Sequence, residues 1–218
     1  MSDLAKYLEH TVLKPDTVLA DVRTACATAM EYRLASVFVP PLYMRDARRL
    51  LGEDARIRLG TVVGYPMGYS AIAAKSEEIK RAIDEGADNI DAVINIAAVK
   101  NAAWNHVEHD IDSLARSVQM RGKVIRLVLE CGLMTEDETR QLCAFAAQYR
   151  IKWLSTGTGF HGYPATVDMV KRLRALAPAD VQIKAAGGIR TAADVRDLIE
   201  AGAMLIGTSS STDIMQQK

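Results

Sequence analysis

The sequence predicts an α/β fold, a single-domain (β/α)8 TIM barrel over residues 1–218, on three observations. Short β-branched runs alternate with longer stretches of helical periodicity, the pattern of a parallel sheet wrapped by helices. The alternation continues from one end to the other without a linker or low-complexity stretch. Eight β-α units fit the chain, enough strands to close a barrel. An open doubly wound sheet is the competing architecture, but it rarely needs eight evenly spaced units in so short a chain.

Strands are expected over residues 9–13, 35–39, 58–63, 89–94, 125–130, 152–155, 181–185 and 205–207. After the first, Asp16 and Thr17 can cap a helix that runs to about Tyr32. The second lies within the apolar run from Leu34 to Pro41, and Glu85-Gly86 stops the helix after the third. Strand side chains alternate between faces, so the fourth strand sets Asp91 and Asn95 on one face and Ile90, Ala92 and Ile94 on the other. The fifth groups Arg126, Val128 and Glu130, and Thr135 with Glu138 can form a capping box beyond it. In the sixth, Lys152 faces away from Ser155, toward the helices. The seventh sets Gln182 with Lys184 and turns Ile183 outward; Thr191 caps the next helix and Ala201-Gly202 stops it. A short helix over residues 212–218 follows the eighth strand.

At this length one domain buries roughly 70% of the surface its unfolded chain exposes, so no staples are needed. Lys+Arg and Asp+Glu each number 27, which removes the electrostatic case for nucleic acid or an anionic membrane as partner. Any phosphate site must be local. The three cysteines, Cys26, Cys131 and Cys143, have no metal-ligand spacing, and nothing at the N-terminus reads as a signal peptide. No apolar run approaches the ~20 residues that cross a bilayer. A cytoplasmic location, with no metal, is therefore expected.

The polar strand faces bring Asp91, Glu130, Arg126 and Lys184 toward the barrel interior. A buried lysine costs several kcal/mol unless paired, so Lys184 belongs beside Asp91 or Glu130. Structural ion pairs plugging the barrel are the bland alternative. The functional one makes Lys184 a nucleophilic amine, or a cation acting on a neighbouring amine, and Asp91 a proton carrier. Three loops after the last three strands, 155–159, 186–190 and 207–210, are rich in glycine and hydroxyls and precede helices, which suits a phosphate. Arg190 is either a phosphate contact or a solvated side chain. His10 reads as a hydrogen-bonded structural residue, and Cys131 as incidental.

Six segments stand out in order: His10-Thr11-Val12-Leu13-Lys14-Pro15, Gly64-Tyr65-Pro66-Met67-Gly68, Ala73-Ala74-Lys75-Ser76-Glu77, Asp91-Ala92-Val93-Ile94-Asn95-Ile96, the run from Lys184 to Thr191, and Ile206-Gly207-Thr208-Ser209. Through them the chain resembles deoxyribose-phosphate aldolases over nearly its whole length. The resemblance implies cleavage of 2-deoxyribose 5-phosphate to acetaldehyde and glyceraldehyde 3-phosphate through a lysine imine, with no metal or organic cofactor. It implies that Asp91 shuttles protons, that Lys184 is the second lysine of the site, and that Gly159, Gly187, Gly188, Ser209 and Ser210 hold the substrate phosphate.

The chain departs from the family where that chemistry starts. Ser155 stands at the position of the imine-forming lysine, and a hydroxyl cannot form an imine. Glu9 replaces a common Asp, Phe38 a Cys, Pro40 an Asn and Arg126 a Lys. Functional change and deliberate redesign both produce departures clustered in this way. Three functions follow: a carbon–carbon lyase with Lys184 as the best remaining amine, a weakened or inactive homologue that still binds a phosphosugar, and altered aldol or Michael-type chemistry on other aldehydes. Phe38 and Trp153 would suit the more apolar pocket of the third, or are simply core. Dimerisation is common among such barrels and stays open.

Overall fold

A computed structural model describes residues 4–52 and 56–217. Eight parallel strands close in sequence order: β1 (Leu8–Thr11), β2 (Ser36–Phe38), β3 (Arg58–Val63), β4 (Asn89–Val93), β5 (Val124–Val128), β6 (Trp153–Ser155), β7 (Gln182–Ala186) and β8 (Leu205–Thr208), with β8 pairing back onto β1. The expected TIM barrel is present, and every expected strand is found within a residue or two of its bounds. Between them lie α1 (Leu19–Tyr32), α2 (Met44–Leu51), α3 (Ile72–Asp84), α4 (Ile96–Lys100), α5 (Trp104–Gln119), α6 (Glu136–Gln148), α7 (Val167–Leu176), α8 (Ala192–Glu200) and, after β8, α9 (Ser211–Gln216).

The apolar residues form a continuous shell between strands and helices, including Leu59, Ile90, Ala92, Leu127, Leu154, Ile183 and Ile206. Phe38, Val62, Val93 and Val128 are equally buried yet stand apart from that shell, because their strand positions turn them inside the barrel. Gly60, paired in register with Phe38, makes room for its ring: a Cβ there would lie 2.3 Å from the ring carbon Cζ.

The capping box read from the sequence, Thr135 with Glu138 on α6, is present, and Thr191 caps α8 as expected, with Asp194 completing a second box that the sequence reading had not named. The expected cap of α1 is not. The helix starts two residues later, behind Val18, whose backbone N–H donates to the Asp21 carboxylate at 2.9 Å. An apolar cap residue is tolerated because the acid one turn in supplies the acceptor. The final helix ends at Gln216, and Lys218 lies outside the described residues.

Candidate active site

The inward faces of β1, β4, β5 and β7 bring two acids and two cations together on the barrel axis. Lys184 Nζ lies 2.7 Å from Asp91 Oδ2 and 2.7 Å from Glu9 Oε2. Arg126 Nη1 bonds the same Glu9 oxygen at 2.8 Å and lies 3.6 Å from Asp91 Oδ1, and Ser36 Oγ donates to Glu9 Oε1 at 2.6 Å. All four charged residues are at least 95% buried. Burial alone would raise the Glu9 carboxyl, but the Arg126 and Lys184 charges and the bonds from Lys184 and Ser36 outweigh it and bring the pKa down to about 2.

Two neighbours shape the lysine's path. Gly207 leaves room for the chain, since a Cβ there would approach Lys184 Cε to 2.8 Å. The Phe38 ring lies under the ammonium, 3.9 Å from centroid to Nζ. Phe38 and Trp153 also flank the Arg126 guanidinium, each at 5.2 Å. Neither lines the cavity above; both pack inside the barrel, so the apolar pocket anticipated from them is not built by them.

That cavity, of about 200 Å³, opens at the C-terminal ends of the strands. Lys184 and Asp91 reach its floor, and Gly159, Gly187, Gly188, Ser209 and Ser210 all line it, so the sequence-derived residues meet in one place with the single exception of Ser155. Ser155 is buried beside Lys184, its register partner, and its Oγ is without a hydrogen-bond partner. Gly159 and Gly187 have φ of 80° and 107°, and a Cβ on either would come within 3.1 Å of the other's Cα. Glycine at both lets the β6 and β7 loops touch backbone to backbone. Not every loop donor faces the cavity: the Ser210 N–H is taken by Thr208 Oγ1 at 2.9 Å. Arg190 lines the cavity rim, with an exposed side chain.

Three expectations are corrected. Glu130 does not meet Lys184. The chain turns left-handed at Glu130, φ 53°, and its carboxylate accepts from the Thr158 N–H at 3.0 Å and hydroxyl at 2.8 Å, which braces the β6 loop. Asn95 lies beyond the end of β4, where its side chain accepts from the Ala98 N–H and caps α4, so strand parity no longer governs it. Glu9 was read only as a departure from the family, yet it touches Lys184, Arg126 and Ser36. The signal was available: the same parity rule on β1, applied to a residue whose neighbours also depart.

Other readings agree with the geometry. Lys152 is exposed and pairs with Asp180. His10 is buried and hydrogen-bonded to Ser211 Oγ, and burial holds its ring below the ordinary histidine pKa. Tyr65, which no motif had singled out as functional, lines the cavity and donates to the Thr158 carbonyl at 2.9 Å. Burial, with Asp91 and Glu130 nearby, raises its phenol, which keeps it protonated. Among the described residues no group of three His, Cys, Asp or Glu is placed to hold a metal ion, and no helix is long and apolar enough to cross a membrane.

Comparison with known proteins identifies the family of this chain. Residues 4–147 match the DeoC/LacD family aldolases. The chain belongs to that family. Beyond the matched segment, similarity to individual relatives extends over nearly the whole chain. Deoxyribose-phosphate aldolase of Staphylococcus carnosus is 34% identical over 214 residues, 98% of this chain and 96% of that one. The enzyme of the same name from Thermococcus gammatolerans is 35% identical over 215 residues, with the same coverage of each chain. Among solved structures, the deoxyribose phosphate aldolase of Aeropyrum pernix, described as tetrameric, superposes with a TM-score of 0.90 at 26% identity, covering 98% of this chain and 90% of the other.

Proposed function

We propose that this DeoC/LacD family member is an aldehyde-lyase that cleaves or forms a carbon–carbon bond in 2-deoxyribose 5-phosphate or a related phosphorylated aldehyde, with Lys184 as the imine-forming amine. The observation that carries the reading is the position of Lys184 Nζ: it reaches the floor of the cavity that the glycine and serine loops line, with Asp91 at 2.7 Å. An amine attacks only when neutral, so one ammonium proton passes to Asp91. The amine adds to the substrate aldehyde carbon, and the carbinolamine loses water as Asp91 returns a proton, leaving an iminium. The C2–C3 bond then breaks as the C3 hydroxyl proton moves to a carboxylate and the electron pair enters the iminium. The resulting enamine is protonated at C2, and water releases acetaldehyde. The Gly159, Gly187, Gly188, Ser209 and Ser210 loops hold the phosphate throughout.

A second reading, phosphosugar binding without turnover, is favoured by one observation. Two carboxylates at 2.7 Å bond the Lys184 ammonium, where the neighbouring position offers only the hydroxyl of Ser155. Borohydride reduction in the presence of acetaldehyde, followed by intact-mass spectrometry, separates the two. The lyase reading expects an adduct on the parent that is lost in Lys184→Leu. No parent adduct, together with one gained in Ser155→Lys, establishes the binding reading instead. An adduct that survives Lys184→Leu moves the chemistry to another lysine, with Lys14 on the cavity wall the first to test.

A further inference from the structure

The cavity does not end at its polar floor. A second space of about 320 Å³ adjoins it, and the two share Leu13, Lys14, Val62, Tyr65 and Phe160 as walls. Its remaining wall is mainly apolar and stiff: Pro40, Pro41, Leu42 and Tyr43 on the β2 side, Pro66 on the β3 side. The acidic side chain there, Glu78, is already engaged by the Gly64 N–H at 2.8 Å. Tyr65 and Phe160 form the partition, edge to face at 5.4 Å between centroids, and the Tyr65 hydroxyl is tied to the Thr158 carbonyl.

Two apolar side chains are left open to solvent at this lobe, Leu42 at 71% and Phe160 at 46% exposure. Apolar groups at the mouth of a preformed concavity mark a site that a ligand covers. Beneath Lys184 the Phe38 ring backs the floor, so a substrate gains no depth there.

From this we infer that the substrate carries, besides its phosphate and its carbonyl, a short alkyl or aryl substituent that seats in the lobe walled by Pro40, Pro41, Leu42 and Pro66. The inference rests on the cavity being the phosphate and carbonyl site proposed above. The rigid prolines lose little freedom when the lobe fills, so the apolar transfer gain is retained in binding.

Calorimetric titration of the intact protein with methyl, butyl and hexyl phosphate tests the lobe without requiring turnover. Burial of each methylene should tighten binding by about fourfold until the lobe is full. In Leu42→Asp, an exposed position where the substitution leaves the core untouched, the gain per methylene should shrink to less than half. A flat series in the parent, no binding by any member, or a gain of equal size in Leu42→Asp overturns the inference. Borohydride trapping with acetaldehyde and hexanal adds an independent check on Lys184. Absence of every adduct removes the imine reading while the phosphate series still decides the lobe, and adducts with a flat phosphate series leave the imine and remove the lobe.

Discussion

Glu9 shows how a single buried acid can set the acid limit of this barrel. Its carboxyl titrates near 2 in the folded protein against 4.5 for an unperturbed glutamate. A depressed acid contributes stability that is fully present above its unfolded value and is lost as pH falls through its folded one. The contribution, on the order of 3 kcal/mol, should therefore disappear between about pH 4.5 and pH 2. Urea denaturation at a series of pH values should show Glu9→Gln with a flatter curve across that window than the parent. Identical slopes for the two proteins would mean that Glu9 is not the titrating group. Glu9 and Arg126, both longer than the Asp and Lys that the family resemblance leads one to expect there, meet each other at 2.8 Å.

Among the elements, the contact of α3 with α5 depends on a buried ion pair that the sequence reading passed over. Lys75 sat in a family motif with no role attached. In the structure it is fully buried, with Nζ 2.6 Å from Asp110 Oδ2 and 3.0 Å from the Val93 carbonyl at the end of β4. It thus pins two helices to the strand that carries Asp91. Burial raises the Asp110 carboxyl above its ordinary range despite the lysine, so desolvation is the larger effect at this pair. Lys75→Met should destabilise the fold by about 3–5 kcal/mol because it strands the acid, and adding Asp110→Leu should restore most of it. Denaturant midpoints for the single and double variants decide the matter; equal losses in both would refute the pairing argument. Helix periodicity could not reveal this pair, since its partners are 35 residues apart and meet only when α3 packs on α5.

For the whole molecule, a ligand that binds the closed barrel and not the unfolded chain must raise the melting temperature. At a hundredfold excess over Kd, glyceraldehyde 3-phosphate should stabilise the protein by about 2.7 kcal/mol, roughly 5–10 °C for a chain of this size. Gly187→Ala forces a side chain onto a left-handed backbone against Gly159, and should remove most of that ligand-induced rise, read against its own unliganded melting point. A full-sized shift in the variant would place the phosphate elsewhere. The expected shift rests on loops from β6, β7 and β8 acting together, which is why no one glycine pair in the sequence was evidence by itself.

The sequence by itself determined the architecture, the strand positions and the inward placement of Asp91, Arg126 and Lys184, because strand and helix periods are local and each apolar shell position is written in its own segment. It also located the glycine loops and the serine at position 155, where the family resemblance leads one to expect a lysine, since those are matters of residue type. Only the tertiary structure decided which charges pair. Glu9 reaches Lys184 because β1 closes against β8, which sets strands distant in sequence side by side around the axis. Glu130 and Asn95 leave the interior because the chain exits its strands just before them, where the two-residue alternation ends. The apolar lobe belongs to the same class of feature: its walls come from separate loops after β1, β2, β3 and β6, and closure of the barrel brings them together.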